Sequence, residues 1–161
     1  LDFSSLLALK RNQFFSEYSD TDISLVNDSH MKILLSSLQH IQDKLEININ
    51  TKYNKIESDF LKEGDLLKIT LTNLTAIEDN EPIYIDICRK YFFQNKCFQP
   101  YPNGKLFSCD KKHFDDQDWS SIHNIQVPQP LFLEDYIQSI YGNDWRVPNN
   151  DWQVSDYKNI I

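Results

Sequence analysis

Asp86 sits in the run Tyr84-Ile85-Asp86-Ile87, a single carboxylate inside an apolar segment that reads as a strand. Burying such a group is costly unless it meets a partner or a cation. Earlier in the chain, Ser19-Asp20-Thr21-Asp22-Ile23 places two carboxylates in an extended, β-leaning run. A strand turns residues i and i+2 to one face, so Asp20 and Asp22 point the same way. On adjacent strands the three carboxylates would make an oxygen-rich set, and hard divalent cations such as Mg²⁺ or Mn²⁺ choose oxygen. Asp-x-Asp also occurs at strand ends and turns with no ion. Asp86 carries the argument further, because a turn Asp needs no apolar flanks.

The chain has 161 residues, which predicts one domain over 1–161. A chain of this size buries roughly 70% of its unfolded surface, enough for a real core. Hydrophobic residues make up 40%, which excludes a disordered chain. Acidic residues number 24 against 16 basic ones, a formal charge of -8, and no basic stripe offsets them. This argues against non-specific nucleic-acid binding. No apolar run reaches the ~18 residues of a membrane span. The opening Leu1-Asp2-Phe3-Ser4-Ser5 has no polar lead, which suggests a start inside an element, as in an N-terminally truncated fragment.

Residues 1–3 read as the end of a strand. Ser4 and Ser5 stand where a short helix would begin, and it would end near Gln13. A turn at 16–19 leads into the Asp20 strand. Asn27-Asp28-Ser29 is a capping cluster, followed by Met31, Leu34, Leu35, Leu38, Ile41 and Leu45 at helical spacing. This predicts an amphipathic helix over 29–46, packed through Leu34, Leu35, Leu38 and Ile41. Strands follow at 47–53 and around Leu67, Ile69 and Leu71, whose neighbours Lys68, Thr70 and Thr72 mark an exposed face. Leu133, Tyr136, Ile137, Ile140 and Tyr141 predict a further helix, stopped by Gly142. The pattern suggests an α+β fold or a mixed α/β sheet. The tail to Ile161 is polar and reads as a surface wrap.

Residues 89–130 read as irregular, rich in aromatics and broken by Pro100, Pro102 and Gly104. Long irregular segments in compact domains are usually functional. The aromatics could hold a sugar or an alcohol head group, or simply cover a sheet face. Cys97, Cys109, His113 and His123 lie here. Two thiols and two imidazoles could bind zinc, but only Cys109 and His113 are closely spaced. With Cys88 the cysteine count is odd and fits no closed disulfide framework. A zinc-stabilised interaction module is one alternative function.

The run Leu1 to Arg11, then Phe15 and Ser19 to Ile23, resembles the signature of the LicD/fukutin-like family. That signature reads Gly-Thr-Leu-Leu-Gly-x-x-Arg, a short gap, then Ile-Pro-Trp-Asp-Asp-Asp-Ile-Asp-Ile. Leu6, Leu7, Arg11, Asp20, Asp22 and Ile23 fall on matching letters. Ile83 to Cys88 is similar to the family's Ile-Phe-Ile-Asp-Ile-Phe strand. Val127-Pro128, a helix, Tyr141-Gly142-Asn143-Asp144-Trp145 and Pro148 resemble its closing landmarks. The chain departs from the signature at Ser4-Ser5 for Gly-Thr, at Ala8 for Gly, and at Ser16-Glu17-Tyr18-Ser19 for Pro-Trp-Asp-Asp.

The resemblance implies a nucleotidyltransferase-like mixed β-sheet with flanking helices. It implies transfer of a phospho-alcohol, of the phosphocholine or ribitol-phosphate type, from a CDP-alcohol donor to a carbohydrate acceptor. Asp20, Asp22 and Asp86 would bind Mg²⁺ or Mn²⁺, and Asp86 would also serve as base. Ser4, Ser5, Lys10 and Arg11 would hold phosphate oxygens, Arg11 best through its fork geometry. Alternatively, Lys10-Arg11 is a solvated helix end that favours the dipole. A catalytically silent domain that binds glycans or a partner protein is the other alternative, favoured by Ser4, Ser5 and Ala8.

Overall fold

The computed structural model describes residues 1–11, 20–55, 57–78, 81–101, 105–122, 124–149 and 156–160. The turn expected at 16–19, His123, Pro102, Gly104 and most of the polar tail lie outside the described residues. Within them the chain is a mixed α+β structure with three sheets and three α-helices. No described helix is long and apolar enough to cross a membrane.

The first helix, α1 (Phe3–Arg11), replaces the strand end expected at 1–3. Asp2 starts it: its side chain accepts from the Phe3 N–H at 2.9 Å and its carbonyl from the Leu6 N–H. A carboxylate before the first turn satisfies an amide that has no helical partner. Ser4 and Ser5 therefore lie inside the first turn. Strand β1 (Asp20–Leu25) and helix α2 (Asp28–Leu45) follow. Asn27 caps α2 by accepting from the Ser29 N–H, as the capping cluster predicts.

Strands β2 (Ile47–Tyr53), β3 (Leu66–Glu78) and β4 (Glu81–Arg89) complete a four-stranded sheet of order β1-β4-β3-β2. β1 runs parallel to β4, and the other neighbours are antiparallel. One face of this sheet is apolar: Ile23, Ile47, Ile49, Ile69, Leu71, Ile85 and Ile87 pack with Met31, Leu34, Leu35 and Leu38 of α2. Ile41, expected in that contact, is 40% exposed, and Leu45 beyond it is 50% exposed. The apolar stripe of α2 is longer than the sheet it covers.

The segment 89–130 is a correction. It is built of short strands: β5 (Tyr91–Phe93), β6 (Lys96–Pro100) and β7 (Leu106–Asp110) form one sheet, and β8 (Gln117–Ile122) with β9 (Ile125–Pro130) a hairpin. Strands of three to six residues are too short for a visible period of two, so the sequence reads them as loop. Most of their aromatics are structural. Phe107 is buried with Phe3, Leu6, Leu7 and the faces of α3 (Leu133–Tyr141), while Phe92 and Phe114 flank that core. Tyr91 packs with Phe60 and Phe98. α3 ends at Gly142, whose φ of 90° is the left-handed region that favours glycine.

Candidate functional site

The register of two strands assembles the site. Asp22 lies opposite Asp86 across the β1–β4 pair, and Asp20 lies opposite Tyr84. Thr70 of β3 lies opposite Asp86 on the other side. Because α2 claims the isoleucine face, the alternate residues Asp20, Asp22, Asp86, Thr70 and Lys68 share the other face. A one-residue slip of β1 would push both carboxylates under α2, so the core holds the register. One oxygen from each of Asp20, Asp22 and Asp86 lies within 4.8 Å of the others. An octahedral ion with bonds of about 2.1 Å spans roughly 4.2 Å between opposite ligands. Only one pair of three ligands can be opposite and adjacent ligands lie roughly 3 Å apart, so the three side chains would draw inward onto an ion; all-carboxylate oxygen is the kind of donor set that Mg²⁺ or Mn²⁺ takes.

The first turn of α1 holds Asp22. The Ser4 hydroxyl and Ser4 N–H donate to Asp22 Oδ2 at 2.6 and 3.2 Å. The Asp22 N–H donates to Ser5 Oγ at 2.8 Å, and the Asp2 N–H to the Asp22 carbonyl at 3.0 Å. A carboxylate at a helix N-terminus is favoured by the free amides and the dipole. Even so, burial pushes the Asp22 carboxyl up to about 7, with the charge of Asp20 adding to it and the Ser4 hydrogen bond opposing it. Burial and the charge of Asp86 also raise Asp20, while Lys68 opposes the shift.

Asp86 is held by both oxygens. Thr70 Oγ1 donates to Oδ1 at 2.7 Å, and the Lys68 ammonium bonds to Oδ2. Burial would lower the Lys68 pKa, yet its contact with Asp86 keeps it above the ordinary value. Sequence reasoning missed Lys68 and Thr70. The alternation of β3 placed them on a polar face, but nothing local to β3 revealed that β4 is its neighbour.

Behind the site lies a buried pair that the sequence also concealed. Lys90 Nζ is 2.6 Å from Asp2 Oδ2, with both side chains at 1% exposure or less. Tyr136 Oη donates to Asp2 Oδ1 at 2.5 Å, and Ser24 Oγ also reaches Asp2. The ammonium sits among the rings of Phe3, Phe107, Phe114 and Tyr136, 4.8–5.8 Å from their centroids. Burial alone would raise the Asp2 pKa, but Lys90 and the hydrogen bonds hold it below the usual carboxylate value.

The expected phosphate ligands separate into two places. Ser4 and Ser5 adjoin the carboxylates. Lys10 and Arg11 lie at the far end of α1, roughly 9 Å along its axis from Ser4. Arg11 Nε donates to the Trp145 carbonyl at 2.9 Å and Arg11 Nη2 to that of Val147 at 3.1 Å. Lys10 Nζ lies 3.3 Å from Glu134. With Trp145, Arg146 and Pro148 they line a cleft of about 320 Å³. The residue types fit phosphate, but the helix carries them away from the carboxylates.

Of the four zinc candidates His123 lies outside the described residues, and the other three are placed as follows. Cys97 and Cys109 face each other across β6 and β7 as free thiols buried in the core. His113 Nδ1 pairs with the Leu131 carbonyl at 3.0 Å. Among the described residues, Asp20, Asp22 and Asp86 form the one group of three metal-ligating side chains close enough to hold an ion. No family model, curated protein or solved structure matches the chain.

Proposed function

We propose that the chain is a metal-dependent phosphotransferase that moves a phospho-alcohol from a CDP-linked donor to a glycan. The observation that carries this reading is the convergence of Asp20, Asp22 and Asp86 beside the first turn of α1. The resemblance to the LicD/fukutin-like signature supplies the donor and acceptor classes. Asp20, Asp22 and Asp86 hold Mg²⁺ or Mn²⁺, which when bound neutralises the donor diphosphate and the leaving CMP. The Ser4 hydroxyl and amide fix the Asp22 carboxylate. Thr70 orients Asp86, which takes the proton of the acceptor hydroxyl at Oδ1. The acceptor oxygen forms a bond to the phosphorus that carries the alcohol. The bond from that phosphorus to the CMP oxygen breaks, and CMP leaves with the electron pair.

One observation favours a second reading. The Lys68 ammonium already bonds to Asp86, so the carboxylate face carries a cation of its own. A silent domain that binds glycans or protein through another surface would keep such a pair permanently. Thermal denaturation with Mn²⁺ and CDP-choline or CDP-ribitol separates the two, because a ligand of the native state raises Tm by mass action. The transferase reading expects Mn²⁺ alone to raise Tm, a CDP-alcohol to raise it further only when Mn²⁺ is present, and both rises to be lost in Asp20→Asn and Asp22→Asn. Equal Mn²⁺ response in parent and variants sinks it and leaves the silent domain.

A further inference from the structure

Lys68 bonds to the one acidic group that closes the carboxylate set. Its ammonium meets Asp86 Oδ2 while Thr70 keeps Oδ1, so the two oxygens are divided between a cation and a hydroxyl. The ammonium is a single charge facing three carboxylates, and Lys68 also feels Asp22 and acts on Asp20. One positive charge leaves the face with a net negative charge that a divalent ion neutralises better. An ion that takes Oδ2 meets the ammonium there, and like charges this close repel strongly. Lys68 has a way out: its side chain is 27% exposed, and its four-carbon stem is flexible. A phosphate held over the carboxylates would find the displaced ammonium next to it.

We propose that Lys68 is the resident counter-ion of this site, that it yields Asp86 to a divalent cation, and that it then binds the diphosphate of the incoming donor. The proposal rests on the metal-site reading given above. It makes the ion and the diphosphate cooperative, because the first releases the group that receives the second. It also gives Lys68→Met two effects of opposite sign. The ion loses a competitor and binds more tightly, while the diphosphate loses a cation and binds more weakly. A lysine with a merely structural role would move neither, or both together.

The experiment uses the whole chain and three probes. Mn²⁺ alone is titrated by the loss of its free-ion electron-spin resonance signal. CDP is titrated calorimetrically at saturating Mn²⁺. Lys68 is footprinted with acetic anhydride and peptide mass analysis. The expected result for Lys68→Met is a tenfold or greater gain in Mn²⁺ affinity and a tenfold or greater loss in CDP affinity. Lys68→Arg, which keeps the charge, should stay near the parent on both. In the parent, Lys68 acetylation should accelerate on adding Mn²⁺ and slow again on adding CDP. A parent that binds Mn²⁺ with the affinity of Lys68→Met overturns the proposal and leaves the metal site standing. If neither protein binds Mn²⁺, the proposal and the metal-site reading fall together. Should Lys68→Met fail to fold, the footprint decides: acetylation indifferent to Mn²⁺ overturns the proposal.

Discussion

Asp2 and Lys90 form an ion pair 2.6 Å long at the centre of the molecule, with essentially no exposure to water. It ties the start of α1 to the strand end after β4, and Tyr136 brings α3 into the same contact. Replacing both charges with well-packed apolar groups can be harmless, but removing one strands the other in the core. Lys90→Met should therefore cost about 3–5 kcal/mol in urea denaturation. The sign of the pH dependence follows from the shifts. Asp2 is held below 3.8, so its contribution is present above that value and is lost as pH falls through the lower folded pKa. Lys90 is raised above 10.5, so its contribution is complete below that value and disappears only as pH rises through the higher folded pKa. Stability from this pair should be flat across neutral pH.

Asp22 behaves in the opposite sense. Its folded pKa of about 7 lies above the ordinary 3.8, so the folded state binds the proton more strongly. Ionisation then costs stability as pH rises from about 4 to about 7. Asp22→Asn keeps an acceptor for Ser4 and removes the charge. Without divalent ion it should melt higher than the parent at pH 8, and the gain should shrink toward pH 4. Adding Mn²⁺ should reverse the order at pH 8, since only the parent keeps all three carboxylates. Melting curves at both pH values, with and without Mn²⁺, check this.

Leu38 and Ile41 belong to one helical stripe but differ in burial, at 9% and 40% exposure. Leu38→Ala should cost about 2–5 kcal/mol. Ile41→Ala should cost well under half of that, because solvent already covers much of the side chain. Chemical denaturation of the two variants gives the contrast directly.

Arg11 holds the chain after α3 through the carbonyls of Trp145 and Val147. Arg11→Ala should loosen residues 143–148, seen as faster amide exchange there. A hydrogen bond to a charged group contributes about 1.5–3 kcal/mol. Mn²⁺ and CDP affinities should stay near parent values, because the guanidinium lies at the end of α1 away from Asp22. A loss of CDP affinity without faster exchange would return Arg11 to the donor site.

The carboxylate set was legible because its signal is local. Two aspartates at spacing two and one among isoleucines define a face before any pairing is known. α2 was legible for the same reason, through its cap and its repeat of leucines. What stayed hidden depends on which strands become neighbours. Lys68 reads as ordinary surface alternation until β4 is set beside β3. Nothing local marks Lys90 as buried, yet it turns inward to Asp2, 88 residues earlier in the sequence (90 minus 2). Lys10 and Arg11 lie at the other end of α1 from Ser4 and Ser5, a separation that shows only once the helix is built. The short strands of 89–130 are each held by neighbours rather than by a pattern of their own.

The parallel pairing of β1 with β4 has a consequence for the order of assembly. Asp86 meets Thr70 across 16 residues of sequence, whereas Asp22 must wait for a partner 64 residues later (86 minus 22). A growing chain can close α2 and the β2–β3 hairpin while Asp20 and Asp22 still face water. Closing the longer loop is the slower and entropically costlier event. Ion-binding capacity should thus emerge with the final docking of the edge strand during refolding, making bound Mn²⁺ a timer for the completed sheet.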